Sequence, residues 1–352
     1  MLDKVWKQKI PADAILVSSA YHMRYLSGFR GGEGYLFLRP ENQRALVDSR
    51  YTTQVKEEAP HFEVIEVGGE RGFGDVLAEL IQKTGTKRLL FEDRHLTYAD
   101  VMKLQEKCAD TEWIPAGDML DRLRMVKTKE ELSRIEKAEA IGDLAFERIL
   151  NDLRPGMTEL QIAAKLEYYM KEAGAAGTSF DTIVASGLHS AMPHAIPSEK
   201  KIEKGDFVTM DFGCIYDGYC SDMTRTVVVG KAGAKQKEIY DTVLQAQLAA
   251  LEVIRAGMTG SQVDAAARGI IEKAGYGAYF GHGLGHSVGL LIHEEPRLSP
   301  RCQETLFENM TETVEPGVYI PGFGGVRIED LVCVTEKGCV NYTHSPKELI
   351  EL

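Results

Sequence analysis

At 352 residues the chain exceeds what one hydrophobic core usually organises, so two domains are expected. Its composition, 44% hydrophobic and 27% charged, is that of an ordinary globular protein, and a formal net charge of -12 argues against nucleic acid or an anionic membrane as the main partner. No stretch approaches the roughly 20 apolar residues of a bilayer span, and MLDKVWKQKIPADAILVSS lacks a leader's apolar core, so a cytoplasmic location is expected.

The first third alternates strands and helices. AILVSS reads as a strand, YLFLRP and RALVDS as a hairpin around the polar PENQ turn, and RLLFE as a further short strand. GDVLAELIQKTG and TYADVMKLQEKCA carry helical periodicity on either side of RLLFE. Thr128 followed by Glu131 is a capping-box signature opening the long amphipathic helix TKEELSRIEKAEAIGDLAFERILNDL. The boundary belongs just before it, giving domains at 1–124 and 125–352.

The second domain repeats itself. LRPGMTELQIAAKLEYYMKEAG, from Leu153, matches IRAGMTGSQVDAAARGIIEKAG, from Ile254, without a gap at an offset of 101 residues. Arg154, Gly156, Met157, Thr158 and Gln161 recur as Arg255, Gly257, Met258, Thr259 and Gln262. Each copy predicts a Gly-Met-Thr turn, a helix capped by Thr, and a glycine stop. Two amphipathic helices always share some letters, but a shared register that includes both punctuation points indicates duplication.

A strand pair follows each repeated helix. FVTMDFGCIYDGYCSDMTRTVVVG turns at Asp217-Gly218, a strong hairpin signal that sets Tyr216 opposite Tyr219 and Asp211 opposite Thr224, with Asp222 as the diagonal neighbour of Asp211. In TETVEPGVYIPGFGGVRIEDLVCV, Glu315 corresponds to Asp211 and Glu329 to Asp222. A lone strand acid is most simply a solvated residue or an ion-pair partner. Four acids in pairs on two related, otherwise apolar hairpins would repel one another and pay desolvation, and cations remove that cost.

Histidines gather next to them. In FGHGLGHSVGLLIHEEP, His282 and His286 are four apart, but the interleaved glycines disfavour a helix, and HEEP is not the HExxH of a zincin. An extended Gly-rich segment instead aims His286 and His293 at one cavity, and His194 lies in the proline-punctuated loop HSAMPHAIPS ahead of the first hairpin. Oxygen-rich ligation with one imidazole suits manganese, cobalt, iron or zinc, and a pair of such ions holds a hydroxide nucleophile at neutral pH. The six cysteines, Cys108, Cys214, Cys220, Cys302, Cys333 and Cys339, have neither CxxC nor zinc-ribbon spacing and read as reduced thiols.

TMDFGCIYDGYCSDMTRT, GHGLGHSVGLLIHEEP, VEPGVYIPGFGGVRIED and THSPKEL closely resemble the pita-bread metallopeptidases, the family of aminopeptidase P, prolidase and methionine aminopeptidase. YHMRYLSGFRG resembles the N-terminal domain of creatinase and prolidase. The resemblance spans essentially the whole chain. It implies an α/β (α+β) fold: a creatinase/prolidase-type N-terminal α/β domain, then a pita-bread catalytic domain with an internal pseudo-twofold repeat. It implies two divalent ions, manganese first, held by Asp211, Asp222, His286, Glu315 and Glu329. His194 and His293 would act on the reacting carbonyl, Glu315 would accept a proton, and His282, Tyr319 and Arg327 would line the pocket.

The expected activity is an Xaa-Pro aminopeptidase acting on short peptides, as a homodimer without nucleic-acid or membrane partners. A dipeptide-only prolidase is the nearest rival, and a non-catalytic peptide-binding homologue the more distant one. Two departures stand out: Ser287 where relatives often have Gly, and Thr311-Glu312 where an apolar pair is common, with Glu312 either facing solvent or altering the metal strand or a subunit contact.

Overall fold

Alternating apolar strands and amphipathic helices build the first third of the chain into a covered sheet. The computed structural model describes residues 2–352, and the chain divides into two compact units between Arg124 and Met125. The first unit runs α1 (Leu2–Trp6), β1 (Ala14–Val17), α2 (Ala20–Ser27), β2 (Tyr35–Leu38), β3 (Gln43–Val47), α3 (Thr52–Glu58), β4 (Glu63–Glu66), α4 (Phe73–Thr84), β5 (Arg88–Phe91), α5 (Tyr98–Lys107), β6 (Glu112–Pro115) and α6 (Met119–Met125). Its strands lie in the order β4-β3-β2-β1-β5-β6. The predicted hairpin is the antiparallel β2–β3 pair, and parallel pairing extends the sheet on both sides. Leu16, Phe37, Leu46, Leu77, Leu89 and Phe91 form its core.

The second unit runs α7 (Lys129–Asp152), α8 (Glu159–Glu172), β7 (Gly177–Thr178), β8 (Ile183–Ser186), β9 (Phe207–Phe212), β10 (Cys214–Tyr216), β11 (Tyr219–Cys220), β12 (Met223–Val228), α9 (Ala234–Val253), α10 (Gly260–Lys273), β13 (Gly285–Ser287), β14 (Glu294–Leu298), β15 (Thr311–Val314), β16 (Gly317–Ile320), β17 (Gly324–Arg327), β18 (Asp330–Val334) and β19 (Cys339–Asn341). Thr128 caps α7 through the amide of Glu131. The repeat is visible in detail: Thr158 and Thr259 cap α8 and α10 in identical capping boxes with Gln161 and Gln262. Gly156, Gly174, Gly257 and Gly275, all at positive φ, turn the chain before and after each helix.

Each half packs its own core. In the first, Ile141, Phe146, Leu166, Met210, Phe212 and Val227 interlock; in the second, Tyr240, Val243, Val263, Val314, Val326 and Val332 do so. The predicted register holds: Asp217 and Gly218 turn at positive φ, Tyr216 pairs with Tyr219, and Asp211 pairs with Thr224. Thr224 also bridges to Glu329, joining the two halves. The described cysteines are all free thiols, and no described helix is long and apolar enough to cross a membrane.

The first unit holds an ion cluster without a counterpart in the sequence reading. His22 on α2 sets Nδ1 against Glu92 Oε1 and Nε2 3.2 Å from Asp121 Oδ1, while the amide of Ser19 donates to Glu92 Oε2 at 2.8 Å. Burial pulls His22 down, but the hydrogen bonds of Asp121 and Glu92 and the charge of Glu92 outweigh it and Arg124, so its pKa stands above the ordinary 6.5. Glu92 and Asp121 are held below their ordinary values, against burial, by His22, with Arg124 also acting on Asp121.

The His22 contribution is therefore complete below pH 6.5 and is lost as pH rises through the higher folded value. The carboxylate contributions are present above their ordinary values of 4.5 and 3.8 and fade in acid. Substituting His22→Gln is expected to lower the melting temperature most near pH 5 to 6, with the gap to wild type narrowing by pH 9; a gap that widens with pH contradicts the assignment.

Candidate metal centre

Strand pairing delivers four carboxylates to one place. Asp211 ends the alternation of β9, Asp222 precedes β12, Glu315 follows β15 and Glu329 precedes β18. Thr224 joins the pairs: its hydroxyl donates to Glu329 Oε2 at 2.6 Å, and its carbonyl accepts the Glu329 amide at 3.1 Å. The amide of Asp222 donates to Glu139 Oε2 at 3.2 Å, and the hydroxyl of Thr313 donates to Glu315 Oε1 at 3.2 Å.

His286 enters from β13. Its amide donates to Thr313 Oγ1 at 3.0 Å, and its Nδ1 lies 3.1 Å from the Ser287 carbonyl. A carbonyl only accepts, so Nδ1 carries the proton and Nε2 is left with a free lone pair. Burial, reinforced by His293, lowers the pKa of His286 to about 3, keeping the ring neutral. Its Nε2 lies 3.5 Å from both Asp222 Oδ2 and Glu315 Oε1, and ligand atoms of Asp222, His286 and Glu329 fall within 4.8 Å of one another.

The electrostatics ask for a cation. Burial, then Glu329, drives Asp222 well above the carboxylate range. Burial, then Glu315, does the same to Glu329. Burial pushes Glu315 up to about 8. Asp211 Oδ1 is buried without a hydrogen-bond partner among the described residues. Buried carboxylates crowded together, beside a neutral imidazole with a free lone pair, are a donor set suited to divalent cations.

These groups form the floor of a cavity of about 760 Å³ with an apolar wall of Phe180, Ile183, Ile196 and Ile292. His194, His282, His293 and Arg327 line it too, and the His293 ring stands edge-on to His286 at 4.5 Å. Tyr319 is set behind the wall: its hydroxyl accepts from Arg327 Nη1 at 2.8 Å and donates to His282 Nε2, 3.0 Å away. Burial, then Arg327, lowers the pKa of His282 to about 4. Arg327 itself donates to Asp211 Oδ2 at 2.5 Å and to Thr224 Oγ1 at 3.1 Å.

A family model described as metallopeptidase family M24 matches residues 133–336, and one described as the creatinase/prolidase N-terminal domain matches residues 5–126. The Xaa-Pro dipeptidase of Pyrococcus furiosus is 41% identical over 339 residues, covering 96% of this chain and 95% of its own. The chain belongs to metallopeptidase family M24. Among solved structures, the metallopeptidase superposes on an Xaa-Pro dipeptidase from Bacillus anthracis with a TM-score of 0.94 at 44% identity, covering 99% and 96% of the two chains. An X-Pro aminopeptidase from Thermotoga maritima gives 0.93 at 39%, covering 99% and 100%.

Supporting residues of the metallopeptidase escaped the sequence reading. Glu139 is fully buried in α7, and burial pushes its carboxyl up to about 8 while the Thr343 hydroxyl donates to it at 2.6 Å. An acid on the apolar face of α7, beside Ala138 and Gly142, was the available signal. Arg225, also buried, donates to the carbonyl of Glu329 at 2.6 Å and to Asp330 Oδ1 at 2.8 Å, fixing the backbone behind the site.

Glu312 does not face solvent. β15 is an inner strand, paired with β13 on one side and β18 on the other, and Glu312 and Thr311 are both completely buried. Among the described residues neither carboxylate oxygen of Glu312 has a hydrogen-bond partner, and burial drives its pKa well above the ordinary value despite the charge of Lys127. An unsatisfied buried group costs about 1–3 kcal/mol. Glu312→Val is therefore expected to raise the melting temperature by roughly 2–10 °C with kcat/KM little changed; a lower melting temperature would show a partner for the carboxyl.

Proposed function

We propose that the metallopeptidase is a two-metal aminopeptidase that removes the residue in front of proline in short peptides. The observation that carries this reading is the convergence of Asp211, Asp222, Glu315, Glu329 and the neutral His286 at the floor of the apolar-walled cavity. Asp211, Asp222, His286, Glu315 and Glu329 would hold the ions. When bound, the ions, manganese first with cobalt, zinc or iron as alternatives, polarise the scissile carbonyl and make water nucleophilic at neutral pH.

The chain's own groups do the rest. Glu315 takes the proton of the attacking water. His293 and His194, both lining the cavity, donate to the oxygen on which charge develops and to the departing amine. Arg327 restrains Asp211 and, through the Tyr319 hydroxyl, the His282 ring. The bond before proline lacks an N–H, so recognition of its ring falls to apolar surface, which Phe180, Ile183, Ile196 and Ile292 supply.

Relatives named Xaa-Pro dipeptidase and X-Pro aminopeptidase match almost equally well, so peptide length is the open choice. With manganese supplied, both Xaa-Pro dipeptides and Xaa-Pro-Yaa tripeptides are expected to be cleaved. Cleavage of dipeptides alone would make the protein a prolidase, and cleavage of neither would overturn the proline reading. Asp211→Ala is expected to abolish turnover and metal uptake while the first unit keeps its fold; turnover with a full metal complement would contradict the ligand set.

A further inference from the structure

Ser287 lies in a polar contact behind the candidate metal centre that the functional reading does not use. Lys127, the residue before the cap of α7, is fixed by its backbone amide, which donates to the Asn309 carbonyl at 3.0 Å. Its side chain is 1% exposed, and its ammonium donates to Ser287 Oγ at 2.9 Å and Glu294 Oε2 at 3.3 Å. Burying an ammonium is costly unless it is well paired; Ser287 and Glu294 are its hydrogen-bond partners, and its charge also reaches the Glu312 carboxyl.

Those partners are the immediate chain neighbours of the two histidines that stand edge to face in the cavity. Ser287 follows His286, and Glu294 follows His293. They also oppose each other across β13 and β14, at the point where the register shifts between His286 and Ser287. A shift of this kind re-aims the side chain beside it. The chain between the two histidines folds around the Glu294 carboxylate: the Leu291 amide donates to Oε1 at 3.2 Å, and a Cβ on Gly289 would stand 2.5 Å from Oε2. The Cys220 amide donates to the Gly289 carbonyl at 2.8 Å, holding that loop from the first hairpin.

We propose that Lys127 is a positioning residue: by clamping Ser287 and Glu294 together it orients His286 toward the carboxylates and His293 toward the cavity. The proposal rests on the functional reading above only for what the two histidines do. Ligating and catalytic side chains held by outer partners typically lose 10–100-fold in metal affinity or activity when those partners are removed.

Lys127→Met combined with Glu294→Gln removes both charges and leaves neither bare. This variant is expected to lower kcat on an Xaa-Pro dipeptide by roughly 10–100-fold with KM within about twofold, to weaken Mn²⁺ binding by about tenfold in calorimetry, and to shift the ¹⁵N imidazole resonances of His286 and His293 in the metal-free chain. A folded double variant with wild-type kcat, Mn²⁺ affinity and resonances overturns the proposal, as does a lower melting temperature with those readouts unmoved. Ser287→Ala removes a single hydrogen bond and serves if the double variant fails to fold: it is expected to shift His286, and an unmoved His286 resonance overturns the proposal. If wild-type protein cleaves no Xaa-Pro peptide, the functional reading falls, while calorimetry and the resonances still test Lys127.

Discussion

Four carboxylates forced together below the surface are the constraint on which the second unit is organised. Like charges in a poorly hydrated pocket raise one another's proton affinity, and here three of the acids lean on a neighbouring donor: Asp211 on Arg327, Glu329 on Thr224 and Glu315 on Thr313. The donors satisfy single oxygens and leave the cluster short of positive charge. That shortfall, set beside a neutral imidazole, turns an electrostatic liability into a cation-binding floor.

The surrounding residues keep that floor from relaxing. Glu139 holds the backbone of Asp222, Arg225 holds that of Glu329, and both are themselves buried, charged or polar groups whose partners lie far off in the chain. Buried networks of this kind are costly when broken and rigid when complete. Rigidity has value here, because a ligand set displaced by an ångström would no longer match an ion. Packing cores on either side, one per half, supply the stability that such polar groups do not.

Much of this was legible in the sequence because it follows local rules. The Thr caps, the glycine stops and the two-residue turn at Asp217-Gly218 each depend on a few neighbouring residues, and together they fix which acids face one another. What local rules cannot show is which strands become interior. Glu312 reads as a solvent-facing strand acid until β15 is seen between β13 and β18. Glu139 and Lys127 read as parts of a charged helix and its approach until their partners, Thr343 and Glu294, arrive from more than 160 residues away. Helix α2, with its buried His22, is hidden for a similar reason: its contacts with Glu92 and Asp121 are long-range.

The contact between Thr224 and Glu329 has a consequence for what one half of the repeat can do alone. Each half supplies two carboxylates, only the second supplies His286, and the hydroxyl that steadies Glu329 belongs to the first. A lone copy of the motif would carry only part of the candidate ligand set, and could assemble four acids only by docking against another copy. The site is thus a property of the seam between two similar modules, and covalent linkage keeps the second module at hand at any dilution.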